Sequence, residues 1–198
     1  MNTTLRRTGV NVLGDMPWGS HVCMFYESKE DLLDTVGPYF KAGLESNEFC
    51  LWAPSEPVTV EEAHLALSRR IPDFHRHLAA GNMEIVPGRE WYLEGDRFSR
   101  ARIIRGWDEK LRGALAKGYD GMRVSGNAFW LHTKHWQDFC DYERQLNNSL
   151  EGKPMTVFLS CVSSEFRSYR LKLANQLGAL KGRPYEVKVQ EDFEQGEG

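Results

Sequence analysis

The stretch His21-Val22-Cys23-Met24-Phe25-Tyr26-Glu27-Ser28-Lys29-Glu30-Asp31-Leu32 decides how the chain is read. Its first six residues form a short apolar run, as expected of a strand buried on both faces. Ser28, with Glu30 and Asp31 just after it, suits a helix start, where unpaired N–H groups favour a capping hydroxyl and negative charge. Strand therefore passes directly into helix. Leu32, Leu33, Val36, Phe40 and Leu44 continue at helical spacing, and Gly37-Pro38 is expected to kink or split that helix.

The same alternation repeats downstream. Glu48 to Ala53 is a second strand, followed by Pro54 and Pro57 and by a capping box, Thr59 with Glu62, that opens a second helix. Met83 to Val86 reads as a third strand leading into a loop, Pro87 to Asp96, that carries Trp91 and Tyr92. Ile104, Trp107, Leu111, Ala114 and Leu115 mark a helix from Phe98 to Lys117, stopped by Gly118. Gly121 to Ser125 is a fourth strand, about Lys134 to Leu150 a helix, and Met155 to Val162 the most strand-like run, expected at the sheet centre. Glu165 to Leu180 reads as a last helix, Pro184 to Val189 as an edge strand, and Gln190 to Gly198 as an acidic disordered tail. The fold class is α/β, a three-layer arrangement with a mostly parallel central sheet and helices on both faces. A single domain spans residues 17–189, between an N-terminal extension (1–16) and the tail (190–198).

Composition removes several function classes. With 25 Lys and Arg against 28 Asp and Glu in 198 residues, the net charge of −3 offers no footprint for nucleic acid or an anionic membrane. The longest apolar run falls far short of the roughly 20 residues a membrane-crossing helix needs. Arg6 and Arg7 are not followed by the apolar core of a signal peptide, so the expected compartment is the cytoplasm. The four cysteines, Cys23, Cys50, Cys140 and Cys161, show no CxxC spacing and sit among apolar residues, as reduced core thiols do.

Known catalytic patterns are missing. The first strand, loop and helix stand where a P-loop ATPase carries its phosphate cradle, yet Phe25 to Leu32 holds no glycine and no Lys-Ser/Thr pair. Glu30 and Asp31 also put the wrong charge at that helix end for phosphate. Neither GxGxxG, GxSxG nor HExxH occurs, and Ser125-Gly126-Asn127 follows Arg123 rather than the glycine of a nucleophile elbow.

What remains is a set of residue constellations, each with a structural and a functional reading. His21 and Cys23 share one strand face, where they pack as core residues or, with Cys161 or Cys50 nearby, ligate a soft metal; no metal is assigned. Glu143 lies on the apolar stripe of its helix, and a buried carboxylate needs a partner, which Arg123 is expected to supply. That pair either fixes helix to sheet or recognises a polar ligand group. Trp52, Trp91, Tyr92, Phe129 and Trp130 fall at or past predicted strand ends, where they line one small-molecule pocket or simply pack loops on the sheet edge. His75 and His77 read as an exposed helical turn.

The ordered series Gly19 to Tyr26, Glu48 to Trp52 with Glu56, Glu90-Trp91-Tyr92-Leu93, Gly118 to Gly126, Trp130 and Tyr142-Glu143 resembles the MEDS domain, the sensory domain of methanogen and methylotroph regulators, including those of dichloromethane utilisation. The resemblance spans about residues 17 to 190. It implies a RecA/KaiC-like fold without a Walker A motif or nucleotide chemistry, and the sensing of simple hydrocarbon derivatives or related small molecules. The family signature falls on His21, Cys23, Tyr26, Trp91, Tyr92, Arg123, Trp130 and Glu143, which with Trp52 form the candidate ligand-binding set. Asn127 stands where ATPase relatives carry a metal-directed acid.

The expected function is therefore a non-enzymatic sensory domain without a cofactor. It binds a small hydrocarbon-like or weakly polar molecule and signals to a partner in trans, a kinase or transcription regulator, with homodimerisation left open. An adaptor without ligand is the alternative, and a thiol- or metal-dependent enzyme using His21, Cys23 or Glu143 is the rival from another class.

Overall fold

Apolar runs without polar alternation become parallel strands because helices cover them from both sides. The computed structural model describes residues 5–95, 97–127, 136–162 and 187–189. The chain opens with an antiparallel hairpin, β1 (Leu5–Arg7) and β2 (Asp15–Pro17). There follow β3 (His21–Tyr26), α1 (Lys29–Glu45), β4 (Glu48–Ala53), α2 (Val60–Arg70), α3 (Phe74–Ala79) and β5 (Met83–Ile85). Next come α4 (Gly88–Tyr92), the two-residue strands β6 (Leu93–Glu94) and β7 (Arg97–Phe98), and α5 (Arg100–Ala116). The described elements end with β8 (Gly121–Asn127), α6 (Trp136–Ser149), β9 (Met155–Val162) and β10 (Val187–Val189). The main sheet has the order β10-β3-β9-β8-β4-β5, and all of its pairings are parallel. β9 is central and β10 is at the edge, as the sequence predicts.

Local chemistry explains the boundaries. Ser28 accepts from the backbone N–H of Asp31 while Asp31 caps the Ser28 N–H, and Thr59 and Glu62 do the same for α2. The helix expected to kink at Gly37-Pro38 is instead continuous through α1, with Pro38 inside it. Pro38 lies on a helix whose buried face is held against the sheet by Val36, Tyr39 and Phe40, and tertiary packing overrides the local defect. The predicted loop after β5 also differs: it folds into α4 and the β6–β7 hairpin, which sequence periodicity is too short to reveal. The predicted helix 165–180, the tail 190–198, and Phe129 and Trp130 lie outside the described residues.

Two cores result. Cys23, Phe25, Leu51, Val124, Val157, Leu159 and Cys161 point to one side, under α5 and α6. Val22, Met24, Tyr26, Cys50, Trp52 and Phe158 point to the other, under α1, α2 and α3. No helix among the described residues is long and apolar enough to cross a membrane.

The second face also holds a buried ion pair at the amino-terminal ends of β4 and β8. Arg123 Nε donates to Glu48 Oε2 at 2.7 Å, and the two residues are each 1% exposed. The remaining guanidinium N–H groups donate to the carbonyls of Thr8 (3.2 Å), Tyr39 (2.7 Å) and Arg7 (2.8 Å), and the group lies 4.7 Å from the Tyr39 ring centroid. Arg6 Nε donates to the other Glu48 oxygen at 2.9 Å and sits over Trp18. Residues 5–16, part of the N-terminal extension, thus dock on the core through charge. Gly43 makes room for this: a Cβ there would stand 2.9 Å from Cys50 Sγ and 3.0 Å from Arg123.

Glu48→Ala leaves Arg123 buried without its counter-ion and should lower unfolding stability by about 3–5 kcal/mol. Asp34→Ala, which breaks the exposed pair with Arg70, should cost less than about 1 kcal/mol. Urea denaturation of these variants and of the Glu48/Arg123 double mutant checks both, with strong coupling expected for that pair and none between Arg123 and Glu143.

Candidate functional site

Successive side chains of a strand point to opposite faces, and this parity sorts the sequence-derived candidates. Tyr26, Trp52 and Arg123 lie on the α1/α2 face; His21, Cys23, Trp91, Tyr92 and Glu143 belong to the α5/α6 side. The expected Arg123–Glu143 pair therefore does not form. The sheet stands between them, and Arg123 is engaged by Glu48. Nor do the aromatics line one pocket: Trp52 packs on Phe40 at 5.9 Å, whereas Trp91 packs on Trp107 at 4.2 Å across the sheet. Trp130 lies outside the described residues.

Three candidates do converge. His21, Tyr92 and Glu143, with Tyr142 and Trp107, surround a cavity of about 10 Å³ between α6 and the sheet, about the least that holds one water. His21 Nε2 stands 3.2 Å from Glu143 Oε2. Both side chains are 3% exposed, and neither Glu143 oxygen has a hydrogen-bond partner of good geometry. Trp107 Nε1 donates to the Tyr142 hydroxyl at 3.2 Å, and the Tyr92 and Tyr142 rings meet edge to face at 6.4 Å. The floor is β8 and β9, where Gly126 is the enabling residue: a Cβ there would lie 2.0 Å from the Tyr92 hydroxyl. A strand glycine here serves the close approach of another group.

Burial governs the ionisation of this cluster. Desolvation pushes the Glu143 carboxyl up to about 8 and His21 down to about 4, so both are neutral near pH 7. Burial also raises the Tyr92 and Tyr142 hydroxyls, with Glu143 adding to the effect. A neutral acid beside a neutral base is a poised proton site rather than an ion pair.

The other polar features at the strand ends are satisfied within the fold. Asn127 donates to the carbonyls of Ser55 (2.8 Å) and Glu56 (3.0 Å), and its side-chain oxygen takes the Ser55 hydroxyl. It ties the loop after β4 to β8. Cys23 and Cys161, on neighbouring strands, hold their sulfurs 4.0 Å apart as buried free thiols. Burial raises the Cys50 thiol, which suits a core residue rather than a nucleophile. Among the described residues no three His, Cys, Asp or Glu side chains gather as metal ligands.

Sequence reading did not single out Tyr142, Trp107 and Gly126 as site residues. Tyr142 and Trp107 do sit on apolar helical stripes, and a hydroxyl or indole N–H inside such a stripe signals a buried polar contact. Gly126, inside a strand, signals close approach.

The cluster predicts a signed pH dependence. The folded state keeps on Glu143 a proton that the unfolded chain releases above about 4.5, so this stabilisation is complete below 4.5 and lost as pH rises through 8. His21 acts in the opposite sense: its contribution is complete above 6.5 and lost as pH falls through 4. Of these two groups, Glu143 alone contributes a slope between pH 6.5 and 8, a loss of about 1.4 kcal/mol per pH unit. Chemical denaturation across that window should show this decline in the native sequence and a flat profile in Glu143→Gln.

The family model described as "MEDS: MEthanogen/methylotroph, DcmR Sensory domain" matches residues 20–171. No curated protein matches. The KaiC-like protein PH0186 of the hyperthermophilic archaeon Pyrococcus horikoshii OT3 superposes with a TM-score of 0.56 at 17% identity, over 82% of this chain and 74% of its own. An uncharacterized protein of Pyrococcus horikoshii, PH0321, solved in complex with an unknown peptide, gives 0.58 at 14% identity, over 86% of this chain and 81% of its own. At these identities the likeness carries the fold alone, a RecA-type parallel α/β sheet. With a family match across most of its length, on the elements that build the Glu143 cavity, the chain belongs to the MEDS family of sensory domains.

Proposed function

We propose that this chain is a non-enzymatic sensory domain, that a small polar molecule enters the cavity beneath α6, and that the resulting shift of α6 is read by a partner protein in trans. The observation that carries this reading is the Glu143 carboxyl, 2% exposed and without a well-formed hydrogen bond. Such a group costs stability until something satisfies it. A ligand that does so favours the α6 packing in which it fits, which is how binding energy becomes a conformational signal. The cavity favours a ligand of very few heavy atoms and a polar one over a plain hydrocarbon. The family name supports a sensory role. The missing phosphate cradle weighs against nucleotide hydrolysis. We place the protein in the cytoplasm, with a kinase or transcription regulator as the receiver; the buried free thiols fit a reducing compartment.

Native mass spectrometry of the purified protein, compared with its denatured mass, should reveal a retained small molecule or allow one to be added back. At a hundred times its Kd such a ligand raises stability by about 2.7 kcal/mol, and Glu143→Gln should abolish that gain in thermal melts. A bare mass and unchanged melts with every small polar molecule tried would overturn ligand sensing and leave the ligand-free adaptor.

A further inference from the structure

We infer that the species taken up beneath α6 is a small N–H cation, ammonium or methylammonium, held by the Glu143 carboxylate within the rings of Tyr92, Tyr142 and Trp107. The inference rests on the sensory reading above and adds the chemical class of the ligand.

Three observations point the same way. The cavity holds an acidic side chain with two oxygens available as acceptors, and among the described residues no Lys or Arg lines it. Three electron-rich aromatic residues border the same space, and rings around a carboxylate attract a positive charge through their quadrupoles. The volume, about 10 Å³, matches a body of one heavy atom, the size of ammonium; methylammonium enters only with the shift of α6, and a quaternary ammonium is excluded. Among the described residues the lining offers an anion no positive charge to pair with. A bare alkali ion needs more oxygen ligands than this lining, mostly carbon, presents.

The groups that face Glu143 leave the countercharge to the ligand. Among the described lining residues, β3 gives His21, which burial keeps neutral; α4, Tyr92; β9, apolar side chains alone; α5, the uncharged Trp107; and α6 itself, Tyr142. Burial holds the carboxyl protonated at neutral pH. Uptake of the cation must therefore expel that proton: the Glu143 carboxyl and R–NH3+ give carboxylate·R–NH3+ and a released H+, with atoms and charge balanced. His21 Nε2, at 3.2 Å, is placed to donate to the carboxylate so formed. Binding is thereby coupled to pH, tightening by about tenfold per unit while the free carboxyl remains protonated.

Isothermal titration calorimetry at pH 6 and 7, in buffers of differing ionisation enthalpy, tests this on the full chain. Ammonium chloride and methylammonium chloride are the probes, potassium chloride the ionic control, tetramethylammonium chloride the size control, and methanol and formamide the neutral probes. The expected result is binding of ammonium or methylammonium with about one proton released per site, a tenfold gain from pH 6 to 7, and no heat from either control salt. Glu143→Gln, nearly isosteric with the protonated acid and checked for native circular dichroism, should lose the binding. Tyr142→Phe, which keeps the ring, should retain it. Binding of methanol or formamide without proton release, and not of the cations, would overturn the cation and leave the sensory reading standing. No binding of any probe by a natively folded protein would overturn both.

Discussion

In a parallel sheet covered on both faces, a residue's place in the strand sequence dictates which of two separate interiors it enters. Most of this protein's organisation follows from that constraint. His21, Cys23 and Phe25 go to one side, Val22, Met24 and Tyr26 to the other, and the register carries the division across the whole sheet. Arg123 lies in line with Cys50, on the side opposite Val124 and therefore opposite Glu143. No side-chain rotation crosses a hydrogen-bonded sheet, so each of these charged residues must be neutralised within its own layer.

The two layers do this differently. On the α1/α2 face the charge is kept and satisfied: Glu48 receives Arg123 and Arg6, and three backbone carbonyls take the remaining Arg123 donors. Such a pair is costly to break and fixes the amino-terminal hairpin to the strand starts. On the α5/α6 face the charge is suppressed, because Glu143 meets an imidazole, phenols and hydrocarbon rather than a guanidinium. The first arrangement is closed to any further partner. The second retains acceptors and a cavity, which is why the site is read there and not at Arg123.

The RecA-type sheet ordinarily offers its carboxyl edge to ligands. Among the described residues at that edge, Asn127 holds the loop after β4, and Ser28 and Asp31 cap the helix that would otherwise face a phosphate. The candidate site lies deeper, at the level of Val124 to Gly126, because Gly126 lacks a side chain and Tyr92 reaches over the strand backbone.

By itself the sequence determined the strand and helix order, the caps at Ser28 and Thr59, the central place of Met155 to Val162 and the lack of a Walker A motif after the first sheet strand. These depend on local periodicity, capping and short motifs, which act over a few residues. It also marked Glu143 as a buried carboxyl and His21, Tyr92 and Glu143 as candidates, since an acid on an apolar stripe is legible from one helix alone. Only the tertiary structure decided who meets whom. Strand order set Glu48 beside Arg123, though they lie 75 residues apart, and parity removed Arg123 from Glu143. Packing kept α1 continuous through Pro38 and folded 88–98 into a helical turn and hairpin that carry Tyr92 to Gly126. Partners across a sheet are chosen by register and layer, and neither is written in the spacing of any single segment.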